Sequence, residues 1–324
     1  MAHHLSVNYN TLRLVRDLCD RADEYGVIVK EKDNLGTKII DAGIAAKGGF
    51  LAGKIITEIC LGGLGEAEIT YKDYEAFEIP SILVLTDHPA IATLGSQFAG
   101  WHIKINDYSA IGSGPARALA LKPKSIYREI EYEDEADTAI LILETLKEPP
   151  EEVITYISEC CKVESSKVFI ILVPTSTVTG FIQVSGRVVE TGIHRLTRIG
   201  LDPKVITHAC GYAPIMPIHP DYVEAMGRTN DAILYGGVTH YVVSHGEDEK
   251  LRNLVGMAVS SASKEYGRPF AEIFEEVNLD FYRIDPDLFA PAVLSITNAE
   301  TGKTFSAGRI NPEILRRSIF FKDT

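Results

Sequence analysis

Gln183, Arg187, Glu190 and His194 follow one another at helical spacing, and at about 100° per residue they fall within one narrow stripe of a helix. Val184, Val188, Val189, Ile193, Leu196 and Ile199 cover the opposite arc. One arc packs and the other carries groups capable of chemistry. An arginine one turn from a glutamate orients the carboxylate and favours its ionised form, a pairing suited to activating water. The same residues also describe a solvated helix face with an Arg/Glu ion pair. Two features favour the chemical reading. The stripe holds no lysine and only one carboxylate, and it directly follows a hydroxyl-rich junction, Thr175-Ser176-Thr177 with Thr179-Gly180.

A second candidate set is Gly112-Ser113-Gly114 with Pro115, Arg117 and Lys122. The glycines let backbone approach a ligand, Pro115 suits a first helical position, and the amides of that helix start can receive an anion. The same string is also a common tight turn. A third set is Arg228, Thr229, Asn230 and Asp231, read as ligand contacts or as helix capping.

The elements that must hold these groups can be read from periodicity. Val168–Val173 is a continuous apolar run of the length of a strand buried on both faces, closed by Pro174. Thr138–Leu143 is a second such run, and a helix from Glu151 to Cys161 joins the two, as parallel pairing requires. The junction after Pro174 is where open α/β sheets place ligands. Upstream, the pattern predicts a helix capped by Asn10, a hairpin around Asp33–Gly36, a helix over Phe50–Cys60, and strands at Glu68–Tyr71, Ile82–Leu85 and Trp101–Ile105. Downstream it predicts a short strand at Val205–His208 and a strand at Val238–Val243. Between them, Gly211–Pro220 reads as an irregular loop because it carries three prolines.

Together these predict an α/β fold of α+β layers, in two α/β domains with a substrate cleft between them. The expected boundaries are 5–110 plus 280–324 for the first domain and 111–279 for the second. Aligning the hairpins of 27–44 and 293–310 at Gly36 and Gly302 suggests an internal duplication. Met1-Ala-His-His4 reads as a tag remnant.

Composition narrows the function. Hydrophobic content of 45% and charged content of 24% over 324 residues are those of a soluble globular protein with an ample core. A formal net charge of −13, with scattered lysines and arginines, excludes a nucleic-acid footprint and opposes binding to anionic membranes. Five cysteines, an odd number without C-x-x-C, argue against a disulfide framework and for a reducing cytoplasm. His208/Cys210 and His240/His245 lack metal-ligand spacing, and H-E-x-x-H, G-x-S-x-G and G-x-x-x-x-G-K are all missing. The expectation is a site without metal or cofactor, built from Arg/Glu, hydroxyls and glycine loops.

Gly112-Ser-Gly-Pro-Ala-Arg-Ala-Leu-Ala-Leu-Lys-Pro123, Pro174-Thr-Ser-Thr-Val-Thr-Gly180, Gln183-Val-Ser-Gly-Arg-Val-Val-Glu-Thr-Gly192, Glu224-Ala-Met-Gly-Arg-Thr-Asn-Asp231 and Phe281-Tyr-Arg-Ile-Asp-Pro286 together resemble the methenyltetrahydromethanopterin cyclohydrolase family, over nearly the whole chain. Gly186 stands where the resemblance leads one to expect alanine.

The resemblance implies a cytoplasmic homotrimer of one-carbon metabolism and methanogenesis with a pterin substrate. The reaction it implies is reversible hydrolysis of the N5,N10-methenyl bridge of tetrahydromethanopterin to the N5-formyl compound. Arg187 and Glu190 take the catalytic roles. Glu190 would act as general base and then acid, with Arg187 orienting it. A nearby guanidinium lowers a carboxylate's pKa while burial raises it, so the two influences oppose each other. For the anionic tail of the substrate, Gly112, Ser113, Gly114, Arg117, Lys122 and Arg228 are expected contacts. Thr175, Ser176, Thr177, Gln183, Thr229, Asn230 and Asp231 complete the expected binding set. The alternatives are a non-catalytic pterin- or phosphate-binding protein and a metal-dependent hydrolase of another cyclic amidine.

Overall fold

The structure, a computed structural model, describes residues 5–75 and 77–320. The proposed tag, residues 1–4, lies outside the described residues. Strands β1 (Ile28–Glu31), β2 (Lys38–Asp41), β3 (Gly65–Asp73), β4 (Glu78–Thr86), β5 (Trp101–Ile105) and β6 (Tyr108–Ser113) come first along the chain. They are followed by β7 (Ala139–Glu144), β8 (Val168–Leu172), β9 (Ile206–Pro214), β10 (Val238–Val243), β11 (Val293–Asn298) and β12 (Thr304–Gly308). The helices are α1 (Val7–Asp20), α2 (Ala22–Tyr25), α3 (Phe50–Cys60), α4 (Ala116–Ala120), α5 (Lys124–Ile130) and α6 (Glu151–Cys161). After them come α7 (Val178–Ser185), α8 (Val188–Arg198), α9 (Tyr222–Gly236), α10 (Asp248–Met257), α11 (Phe270–Glu276) and α12 (Pro312–Ile319).

The chain forms two compact units. The first takes in residues up to Glu66 together with Ala90–Gly180, and the second Ala67–Pro89 together with the chain from Phe181 onward. The segment after 280 lies with the second unit because β11 hydrogen-bonds β10 in register, Val238 opposite Val293. Each unit is built on its own mixed six-stranded sheet, so the fold is α/β.

The first sheet runs β1-β2-β8-β7-β6-β5. Its centre, β2-β8-β7, is parallel, with antiparallel strands on either side. The unbroken apolar runs of β7 and β8 follow from burial on both faces. Ile39, Leu141, Leu143, Ile170 and Leu172 pack with Ala116 of α4 and with Val153, Ile154 and Ile157 of α6. Ile40, Ile140, Ile142, Ile171 and Val173 pack on the other side with Val15 and Leu18 of α1 and Ile55, Ile56 and Ile59 of α3. Each such buried side chain contributes about 1.5–3 kcal/mol relative to exposure. At the end of β2, Asp41 accepts from the amides of Gly43, Ile44, Ala45 and Ala46 at 2.6–3.0 Å and so fixes the loop that leads to α3.

The second sheet runs β12-β11-β10-β9-β4-β3. Burial alternates along β10 and β11, the pattern of a sheet covered on one face. Helix α8 packs on β9, β10 and β4, and α10 on β11 and β12. Helices α11 and α12 pack on α9, which itself also packs on β9.

Several local expectations are corrected. The first helix is capped by Ser6, which accepts from the Tyr9 amide, rather than by Asn10. Gly211–Pro214 is not loop but the end of β9, paired with β4 and β10, because a proline at a strand terminus removes no interior hydrogen bond. The two hairpins both lie at a sheet edge, but the inward strand is the second of the pair in one (β2) and the first in the other (β11). An alignment at Gly36 and Gly302 therefore sets an outer strand against an inner one.

Candidate active site

The stripe predicted as one helix is two. α7 ends at Ser185, where the side chain hydroxyl donates to the Pro214 carbonyl at 2.8 Å. Gly186 N still reaches Ile182 O at 2.9 Å, but Arg187 N turns to Val184 O, also at 2.9 Å, which tightens the helix and ends it. Arg187, at φ −84° and ψ 3°, then stands at the N-cap of α8, and its carbonyl accepts from Thr191 N at 2.8 Å. Glu190 is thereby placed in the first turn of α8, where the helix dipole favours a negative charge.

The guanidinium of Arg187 is held from behind. Gln183 Oε1 accepts from its Nε at 3.2 Å and its Nη2 at 3.0 Å, so one amide oxygen fixes the plane of the fork. Gln183 is buried, Arg187 is half-buried, and Glu190 is only 6% exposed. This is not the solvated face that the spacing alone would also allow. One turn further on, His194 is held neutral, its pKa pushed down to about 4 by burial and then by the charges of Arg198 and Arg195. Arg195 itself is bound to the Met257 carbonyl and to Asp287. Of the apolar arc, Val188, Val189, Ile193 and Leu196 are fully buried, while Val184 and Ile199 are half-buried.

Within the second unit, Arg228, Thr229, Asn230 and Asp231 lie inside α9 rather than at its start, which Asp221 caps. Arg228 is buried and donates to the carbonyls of Pro217 and Ile319, and burial pulls its pKa down. Thr229 and Asn230 bond back to carbonyls of their own helix. Asp231 is almost fully buried and accepts from the Phe270 amide at 2.8 Å. Of this quartet, Arg228 and Asp231 join α9 to its neighbours.

In the first unit, Gly112 and Ser113 are the buried end of β6. Gly114, at φ +96°, donates to Ser96 O, and a Cβ there would stand 2.4 Å from Ile142 Cδ1. Its bareness serves close packing. Arg117 is fully buried, with its guanidinium near the rings of Phe98 and Tyr127. It donates to Lys122 O at 2.8 Å, Ser96 O at 3.1 Å and Leu94 O at 3.2 Å. It thus shapes the π-helical turn Ile91–Gln97 instead of facing a ligand. Lys122 is half-buried. Thr175 is buried and hydrogen-bonded to Glu144. Thr177 caps α7, accepting from Gly180 N at 3.0 Å, and Ser176 beside it is half-exposed. Ser185 carries no signal in the sequence, since only the Pro214 carbonyl opposite gives it a role. Among the described residues no group of three or more His, Cys, Asp or Glu side chains is placed to hold a metal ion.

The family model described as Cyclohydrolase (MCH) matches residues 6–319. The chain is 44% identical over 319 residues to the methenyltetrahydromethanopterin cyclohydrolase of Methanococcoides burtonii, covering 98% of this chain and 99% of that one. Its identity to the proteins of the same name from Methanocaldococcus jannaschii and Methanothermobacter thermautotrophicus is also 44%, over 318 and 317 residues. Those alignments cover 97% of this chain and 98% and 99% of the relatives.

Proposed function

The chain belongs to the methenyltetrahydromethanopterin cyclohydrolase family, and from that premise we propose that Glu190 moves the protons of its reaction while Arg187 aims the carboxylate. The reaction is the reversible hydrolysis of the N5,N10-methenyl bridge of tetrahydromethanopterin to the N5-formyl compound. The bridge carbon is part of an amidinium-like cation and is already electrophilic. Water adds to it, forming a C–O bond as one water proton passes to Glu190. N10 takes that proton from Glu190 as the C–N10 bond breaks, and the remaining hydroxyl proton leaves to solvent as the formyl C=O forms. One water is consumed and one proton released.

The observation that carries this reading is a carboxylate buried in the first turn of α8, one turn from a guanidinium fixed by Gln183. The helix start and the arginine favour the carboxylate, while burial favours the acid. Those opposed influences suit a group that must hold and release a proton in one cycle. The test is loss of the methenyl chromophore with Glu190→Gln. Its kcat should fall by about 10²–10⁴-fold, with KM little changed. Equal turnover by the variant would end the assignment, and a chromophore left intact by the wild type would favour a binding protein.

The family resemblance also supports a cytoplasmic homotrimer that needs no cofactor. Among the described residues no helix is long and apolar enough to cross a membrane. The expected outcomes are a solution mass three times that of the 35.6 kDa chain and full turnover in chelator.

A further inference from the structure

Resting on that reading of Glu190, we propose that Tyr241 and Gly192 act as a positioning pair that sets where the first turn of α8 stands against β10, and therefore where the carboxylate stands. Tyr241 is fully buried on β10, and its hydroxyl donates to the Val189 carbonyl at 2.9 Å. Val189 immediately precedes Glu190 in that turn. The same hydroxyl fills the space that a side chain at position 192 would need. A Cβ there would fall 2.0 Å from Tyr241 Oη and 3.0 Å from Cζ.

The turn is therefore fixed in both directions. The hydrogen bond draws it toward the strand, and the contact between the phenol and the bare backbone of Gly192 limits the approach. The apolar contacts of Val188 and Ile193 lack the direction to do this, because dispersion resists separation better than sliding. Burial, opposed by a hydrogen bond with Thr239 and reinforced by the charges of Glu190 and Cys210, pushes the phenol's pKa well above its usual range, which suits its place as a donor to the backbone. Placement matters here because a misplacement of about 1 Å at a reacting group can cost roughly 100-fold in rate.

The test is a double-mutant cycle on the full chain with the methenyl pterin as substrate and Glu190→Gln assayed beside it. Tyr241→Phe removes the hydrogen bond and keeps the ring. Its kcat should fall about tenfold with KM within about twofold, and the pH profile of kcat should move because the carboxylate's surroundings change. Gly192→Ala should lose about 100-fold in kcat, since its Cβ collides with the hydroxyl. The double variant should recover to within about threefold of Tyr241→Phe, because the Cβ then meets the ring edge alone, at 3.0 Å from Cζ and 3.3 Å from Cε2, where a shift of a few tenths of an ångström suffices.

A merely structural role would lower the unfolding midpoint while leaving kcat, KM and the pH profile of the folded protein unchanged. That result, or losses that multiply in the double variant, overturns the proposal. If Gly192→Ala does not fold, Tyr241→Phe decides alone, and an unmoved kcat and pH profile overturns the proposal. An active Glu190→Gln would remove the reading of Glu190 itself, whereas an inactive one beside an additive cycle would remove only the positioning pair.

Discussion

Three arginines in this chain show why a residue type is not a role. Arg187 is half-buried, and its fork is aimed by Gln183. Arg117 and Arg228 are buried and bound to backbone carbonyls. Spacing could nominate all three, but only packing separates a half-buried guanidinium held by a side-chain amide from one that is spent on backbone carbonyls. The same holds for Asp231, a polar residue in a polar quartet that turns out to lie within a helix cluster. Burial pushes its carboxyl from 3.8 up to about 7. Between about pH 4 and 7 the folded chain therefore keeps a proton that the unfolded chain has released. Its contribution to stability falls as pH rises through that window, and the cost is complete above about 7. Asp231→Asn should lose less of its thermal midpoint than the wild type between pH 5 and 8, by about 3 °C or more. Parallel pH curves for the two proteins would contradict this.

Among the elements, those with a strong period were legible and those that depend on a neighbour were not. The apolar runs of β7 and β8 and the helix between them could be read because burial on both faces leaves no polar position in the run. The break between α7 and α8 could not. Glycine inside an amphipathic pattern is compatible with a continuous helix, and the bend becomes evident only when Ser185 meets the Pro214 carbonyl. That break is what moves Glu190 from mid-helix to a first turn, so the most consequential local feature of the site was the least visible one. Gly211–Pro214 failed for the opposite reason, since prolines suggested an irregular loop where β4 and β10 supply partners on both sides.

For the whole molecule, the α/β class followed from alternating strands and helices, whereas the way the chain is shared between two units did not. Ala67–Pro89 leaves the first unit to supply most of β3 and all of β4 to the second, an exchange that periodicity cannot reveal because a strand's neighbours are set by long-range pairing. The two sheets also differ in cover, one lined by helices on both faces and the other on one. Amides of β7 and β8 should exchange with deuterium last, and those of the edge strands β12 and β3 at least about tenfold sooner. Hydrogen-exchange mass spectrometry would contradict this if all four strands exchanged together.

The string Gly112-Ser-Gly-Pro-Ala-Arg117 looks like a signature of chemistry, yet its glycines and its arginine face inward. A genome survey keyed to it would collect molecules that share a scaffold. One that carried the string but lacked counterparts of Arg187 and Glu190 should fold in the same way and leave the pterin unhydrolysed, so inheritance of shape and inheritance of catalysis need to be traced through different letters of the chain.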